Sequence, residues 1–343
     1  MAEQFEPKRY DDLDPLLCQF KLPLQHTYYP FGFPVEIATN SEDVMAAADR
    51  NWRAFRQMFN TEPIRLRVGV LDTDSEMKLV EPVLRSSRHL VIKVGTLDDF
   101  AVCDMNRRFA FCWISKATAR NHAYVHTHYI DGMVMWPLHF RDLTPMHAAC
   151  VVKNGTGLLF CGESEAGKSS LSYACARKGW TFVTDDLSEL VRSWNTTTVL
   201  GNPHRIRLRE SAAALFPELR QIPITLRANG ERAIELFTAQ HPNLNIAPLS
   251  RVDYILFLNR RPGVSATLLP LSAQKALRWF EQVLVLDECS EAQAKSLERL
   301  LSAEIFEFRY SDINSAVGHL DRITGAGRHP HCAPEFSIGF LNG

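Results

Sequence analysis

The chain has 343 residues, 46% of them apolar and 22% charged, which is enough to bury a sizeable core and favours about two domains. Its 38 Lys and Arg against 39 Asp and Glu leave a net charge of −1, so no basic excess marks a nucleic-acid or anionic-membrane partner. No apolar run approaches membrane-spanning length, and the opening Met-Ala-Glu-Gln-Phe-Glu-Pro-Lys-Arg lacks the apolar stretch of a signal peptide, so a cytoplasmic protein without a membrane or nucleic-acid partner is expected. Eight cysteines, at 18, 103, 112, 150, 161, 175, 289 and 332, show no paired metal-ligand spacing and read as reduced core thiols.

Residues 1–125 read as an α+β domain. Strands are expected over 33–38, 64–70, 90–94 and 108–114, with a helix over 41–58 that opens on a Ser/Glu pattern close to a capping box. No catalytic constellation stands out here, and substrate selection, homo-oligomer contacts or a purely structural role are the expectations. Histidines 122, 126 and 128 have one pair at helical spacing but no local carboxylate or thiol as a third ligand, and His329 and His331 beside Cys332 lie far off, so no metal site is assigned to them.

A helix over 129–140 leads into residues 126–324. His147 precedes an apolar strand, 148–152, which the Lys153-Asn154-Gly155-Thr156 turn joins to a second strand at 157–161; Asn-Gly is a strong hairpin signal. The hairpin brings residues before its first strand close to those after its second. The second strand runs into Gly162, Glu163, Ser164, Glu165, Ala166, Gly167, Lys168 and Ser169, a full Gly-x-x-x-x-Gly-Lys-[Ser/Thr] phosphate loop, which passes through Ser170 into a helix closed by Gly179. Such a loop points backbone N–H groups at a helix N-terminus and favours phosphate; Lys168 reaches the β- and γ-phosphates and Ser169 sits on magnesium. ATP and Mg2+ are the expected cofactors. The segment 180–184 then reads as a strand ending in Asp185 and Asp186. Two carboxylates beside one metal and one γ-phosphate suit a division of labour, Asp185 helping to order Mg2+ and Asp186 accepting the proton of an attacking hydroxyl.

At these residues the chain resembles the HPr kinase/phosphorylases and related proteins with a phosphoenolpyruvate-carboxykinase-like fold. His147 in Met146-His147-Ala148-Ala149, the Gly162–Ser169 loop and Val183-Thr184-Asp185-Asp186 carry the resemblance, over roughly 126–322. It implies an α/β fold with a P-loop core of that type, preceded by the smaller α+β domain. It also implies His147, Lys168 and Asp186 as the catalytic group and Ser169 as a magnesium ligand. Two departures stand out. The family's bifunctional members carry a magnesium-binding glutamate ahead of an Ile-Arg-Gly segment, where this chain has His204-Arg205-Ile206-Arg207-Leu208, and the loop's fourth residue, usually glycine, is Glu165. A carboxylate there adds negative charge near a polyphosphate, unless it pairs with a cation such as Arg205 or Arg260.

Further on, Arg205, Arg207 and Arg209 alternate as a strand would and place three cations on one face, read as a solvated sheet face in preference to a phosphate or acidic-substrate contact. A hairpin turns at Asn229-Gly230, a buried strand occupies 252–258, helices 272–286 and 290–303, a strand 305–310, a helix 311–323, and 325–343 is a tail. The expected function is ATP- and Mg2+-dependent phosphotransfer to a hydroxyl of an unidentified protein, peptide or small molecule. The alternatives are a catalytically inactive nucleotide-binding regulatory protein and ATP hydrolysis coupled to conformational change.

Overall fold

The computed structural model describes residues 21–72, 81–280 and 291–325. The first part of the chain forms β1 (Leu24–Tyr28), β2 (Val35–Thr39), α1 (Glu42–Trp52), β3 (Ile64–Leu71), β4 (Val83–Ser87), β5 (Leu90–Val94), β6 (Phe100–Asp104) and β7 (Phe109–Ser115), then α2 (Lys116–Arg120), α3 (His122–Val125), a π-helical turn at His126–Asp131 and α4 (Gly132–Arg141). The strands make one sheet in the order β1-β2-β3-β7-β6-β5-β4, with β2, β3 and β7 parallel. Alternation sets its buried face: Val35 and Ile37, then Ile64, Leu66 and Val68, point one way along their strands, and helices cover them. In α1, Val44, Ala47, Ala48 and Trp52 form a single apolar stripe against this face.

The helix expected over 41–58 stops at Trp52. Arg53 N–H still donates to Asp49 C=O, but Phe55 N–H turns back to Trp52 and its ring is buried, so core packing ends the helix six residues early. Ser41 lies at the N-cap without a side-chain capping bond; its N–H instead donates to Thr39 Oγ1. The helix expected at 129–140 begins earlier, at His122: Asn121, with non-helical angles, ends α2 and caps α3, which runs through the π-helical turn into α4. Tyr124, Val125, Tyr129, Ile130, Met133, Val134 and Leu138 belong to the core of the first sheet.

The chain continues as β8 (Leu143–Met146), β9 (Ala149–Lys153), β10 (Thr156–Cys161), α5 (Lys168–Arg177), β11 (Thr181–Thr184), β12 (Ser188–Val191), β13 (Thr198–Leu200), β14 (Arg205–Arg209), α6 (Ala212–Leu215), β15 (Ile224–Leu226), β16 (Arg232–Phe237), β17 (Asn245–Ile246), β18 (Leu249–Arg251), β19 (Tyr254–Arg260), β20 (Thr267–Pro270), α7 (Ala273–Phe280), α8 (Glu291–Leu300), β21 (Glu304–Tyr310) and α9 (Ile313–Gly325). These form a seven-stranded sheet, β17-β11-β9-β10-β19-β21-β20, a four-stranded sheet, β18-β13-β12-β8, and a three-stranded sheet, β14-β16-β15. The fold is thus mixed α/β with several sheets. Within the seven-stranded sheet β10, β19 and β21 are parallel, while β9 and β10 are the expected antiparallel hairpin. Asn154 and Gly155, with φ of 51° and 76°, supply its left-handed turn. Apolar β10, β19 and β21 lie between α5 and α9 on one side and α7 and α8 on the other, which accounts for their nearly continuous hydrophobic runs.

The expected helices at 272–286 and 290–303 and the tail at 325–343 extend beyond the described residues, as do Cys18, Cys289, His329, His331 and Cys332. Five cysteines, 103, 112, 150, 161 and 175, are buried free thiols. Among the described residues no helix is long and apolar enough to cross a membrane.

Candidate active site

The hairpin delivers β10 into the Gly162–Ser169 loop, and the loop into the N-terminus of α5. Gly167 caps the helix with φ 98°, and the first backbone N–H to find an acceptor one turn back is that of Leu171, which bonds Gly167 C=O at 2.8 Å. The N–H groups of Lys168, Ser169 and Ser170 precede it and have no intrahelical partner. Lys168 is 5% exposed, and its ammonium folds into the loop to donate to Gly162 C=O at 2.8 Å and Glu163 C=O at 3.1 Å. Burial pulls its pKa below the usual lysine range, against an opposing pull from Asp186. Tyr310 Oη, from the end of β21, donates to Ala166 C=O at 3.2 Å and would lie 2.9 Å from any Cβ at position 167. The left-handed φ is what calls for glycine there.

Short strands bring the histidine and the aspartates together. β8 and β12 pair antiparallel with Met146 opposite Ser188, so the residue just after β8 meets those that precede β12. Ser188 Oγ donates to Ala148 C=O and Thr184 Oγ1 to Leu187 C=O, both at 2.9 Å, pinning the turn. The result is His147 Nε2 at 2.8 Å from Asp186 Oδ1, both side chains roughly half exposed. Desolvation raises the Asp186 carboxyl, but the His147 hydrogen bond and charge, with Arg207 and Arg227, outweigh it and hold the group below the usual carboxylate range.

Asp185 has the opposite environment. It is 5% exposed, and burial, then repulsion from Asp186, push its carboxyl up to about 7 in spite of a hydrogen bond from Arg207 N–H to Oδ2 at 2.9 Å. Its backbone carbonyl accepts from Ser169 Oγ at 3.2 Å, so the hydroxyl at the head of α5 and the first aspartate are directly joined. Gly201 backs this strand end: a Cβ there would lie 2.4 Å from Val183 O.

β14 runs along the floor of the cleft. Ile206 and Leu208 point into the core, and the arginines between them line the cleft, which corrects the expectation of a solvated face. Arg209 pairs with Glu165 and also reaches Ser164 Oγ at 3.5 Å. Glu165 is thus taken by Arg209 and not by Arg205 or Arg260, and it occupies a left-handed conformation, φ 70°. Arg207 Nε donates to Glu235 Oε1 at 3.2 Å, and Arg205 donates to Asn51 Oδ1 at 2.5 Å. The whole cleft holds about 890 Å3.

The chain matches no family model and no curated protein. Among solved structures it is similar to the HPr(Ser) kinase/phosphatase from Coxiella burnetii, at 13% identity and a TM-score of 0.30, covering 53% of this chain and 93% of that one. A likeness of that size decides neither fold nor activity.

Of the residues singled out in the sequence, His147, Ser164, Glu165, Gly167, Lys168, Ser169, Ser170, Asp185 and Asp186 line this one cleft. Gly162, Glu163 and Ala166 shape the loop from behind through their backbone groups. Sequence reasoning misses the opposite wall, where Phe31, Asn51, Trp52, Phe55, His126 and Asp131 come from the first sheet and its helices. The alternating arginines are the one visible signal toward it. Among the described residues no three His, Cys, Asp or Glu side chains gather as a metal cage.

Proposed function

We propose that the protein is an ATP- and Mg2+-dependent phosphotransferase of HPr-kinase-like type acting on a hydroxyl. The observation that carries the reading is the His147–Asp186 pair at 2.8 Å in the same cleft as the Lys168 ammonium and the Ser169 hydroxyl. The donor set fits a polyphosphate: orphaned N–H groups at Lys168, Ser169 and Ser170, and an ammonium whose present acceptors are neutral carbonyls that anionic oxygens can replace. Ser169 Oγ bonds the Asp185 backbone carbonyl, so the two residues that would hold a magnesium ion stand side by side at the head of α5.

When bound, Mg·ATP supplies the γ-phosphoryl group and neutralises the charge that develops on it. The chain supplies position and a proton acceptor. Asp186 is the exposed member of the aspartate pair and Asp185 is buried, so only Asp186 can meet an incoming hydroxyl. Its lowered pKa keeps it ionised at neutral pH and makes it a weak base, which suits a loose transition state in which the proton leaves late. His147 fixes the Asp186 carboxylate, and its proposed role is to assist at the transferring group. Lys168 and the loop amides hold the β- and γ-phosphates.

The regulatory alternative rests on Glu165 and on the missing second metal carboxylate; the first of these is engaged by Arg209. The test is kinetic. Asp186→Asn is expected to bind ATP within a few-fold of the wild type and to lose transfer by roughly 10²–10⁴, the scale of general acid–base catalysis. Undiminished transfer would remove Asp186 from the mechanism.

A further inference from the structure

The cleft has a second compartment, on the far side of the aspartates from the Gly162–Ser169 loop. β14 measures the distance: Arg209 touches Glu165 of the loop, Arg207 N–H bonds Asp185, and Arg205 bonds Asn51 at the end of α1. Successive arginines on one strand face are about 6.5–7 Å apart, so Asn51 lies roughly 13 Å along the floor from the loop contact. Trp52, Phe55 and Asp131 complete this end.

Its charge is uneven. Glu235, opposite Arg207 on β16, is shared by three guanidinium groups: Arg207 Nε at 3.2 Å, Arg50 Nη2 at 3.5 Å and Arg205 Nη1 at 3.9 Å. Asp131 is the other carboxyl at this end, and burial favours its neutral form. Arg205 is 13% exposed along its side chain, so its charge is held in a largely dry site with an amide oxygen as its nearest partner. His126, 5% exposed, presses edge-on against Trp52, and its Nε2 has no hydrogen-bond partner among the described residues. Trp52 and Phe55 are themselves 3% and 6% exposed, which leaves little apolar surface for a polypeptide to dock on. A volume of about 890 Å3 is near the top of the range for small-molecule sites, about 300–1,000 Å3, and leaves room for a compact second ligand beside a nucleotide.

We infer that this compartment binds the phosphoacceptor, and that the acceptor is a small organic anion bearing a hydroxyl, its anionic group against Arg205 and Arg207 and its hydroxyl directed at Asp186. The inference rests on the phosphotransfer reading. In the transfer, the acceptor oxygen gains the bond to phosphorus that the β-phosphate oxygen gives up, the hydroxyl proton passes to Asp186, and ADP leaves with the bonding pair. The anionic group anchors the acceptor and takes no part in bond exchange.

The test fills the nucleotide site first. Full-length protein is saturated with magnesium and a non-hydrolysable ATP analogue, then titrated calorimetrically with glycerate, malate and glycerol 3-phosphate, with glycerol as the uncharged control. At least one anion is expected to bind while glycerol does not, and the stronger class tells a carboxylate anchor from a phosphate one. Asn51→Asp, nearly isosteric, sets a carboxylate against Arg205 and is expected to weaken that binding roughly ten- to hundredfold, the scale of one charge-assisted hydrogen bond, with analogue affinity unchanged. A thermal melt matching the wild type confirms that the variant folds. Analogue binding with no response to any anion, or equal anion binding by Asn51→Asp, overturns the inference and leaves the phosphotransfer reading standing. Phosphate transfer to a polypeptide with no small anion bound does the same. Failure of the wild type to bind the analogue overturns both.

Discussion

Replacing Asp185 by asparagine should stabilise the protein, and do so only where the carboxyl would be ionised. Asp185 is 5% exposed, and burial followed by repulsion from Asp186 raises its carboxyl from an ordinary value near 3.8 to about 7. For an acid raised in this way the folded state holds the proton more tightly than the unfolded state between those two values. Stability is therefore greatest at low pH and is lost as pH rises through about 7. A rise of roughly three pH units at about 1.4 kcal/mol each puts the cost of the ionised group at about 4 kcal/mol above pH 8, shrinking to under about 2 kcal/mol at pH 5. An asparagine Oδ1 can still accept from Arg207 N–H, so the bond now at 2.9 Å survives the change. Urea unfolding followed by circular dichroism at pH 5 and pH 8 measures both differences. Asp185→Asn is expected to gain stability over the wild type at pH 8 and to lose most of that gain at pH 5. With saturating Mg·ADP the gap should narrow, because a cation favours the ionised form in the wild type only. A difference that does not change with pH, or a wild type that is the more stable at pH 8, would refute the reasoning from burial.

Other substitutions separate the roles of neighbouring groups. Lys168→Ala should weaken ATP binding by about 1.5–3 kcal/mol, one charge-assisted contact, measured by calorimetry with the fold checked by melting. Glu165→Gly relieves a left-handed residue and frees Arg209 for the nucleotide, so ATP affinity should rise at low salt and the gain should fade as salt is added. Equal or weaker affinity at every ionic strength would give Glu165 a positive role. Gly157→Ala places a Cβ 1.8 Å from the Arg251 carbonyl oxygen, a backbone atom that cannot turn aside, and should cost roughly 2–4 kcal/mol of stability in a denaturant titration.

The central elements are legible in the sequence because their signals are local. Asn154-Gly155 marks the hairpin, the glycines and lysine mark the loop and the start of α5, and Gly179, with φ 80°, marks its end. The hairpin anticipates His147 near the loop, but not its meeting with Asp186, whose cause is the pairing of β8 with β12. Those strands are four residues each, one containing Pro145, and too short to show a period. The cleft's other wall is not legible at all. Asn51 and His126 stand far from the loop in sequence, and only the packing of α1 and the π-turn brings them to Arg205. The same packing explains why the alternation of Arg205, Arg207 and Arg209 reads correctly as a strand and wrongly as solvated: period two tells which side chains share a face and says nothing about what covers it. Glu165 finds a different arginine from the two expected for a related reason, since its partner depends on the position of β14 across the cleft.

The most direct test of phosphotransfer is to incubate the protein with γ-labelled ATP and magnesium in a lysate of its own cell, separating small molecules from polypeptides afterwards. Label is expected in an acceptor other than water, in the small-molecule fraction, and absent when Lys168→Ala replaces the wild type. Label that remains in ATP, or appears only as inorganic phosphate, with a wild type that binds ATP would contradict the account.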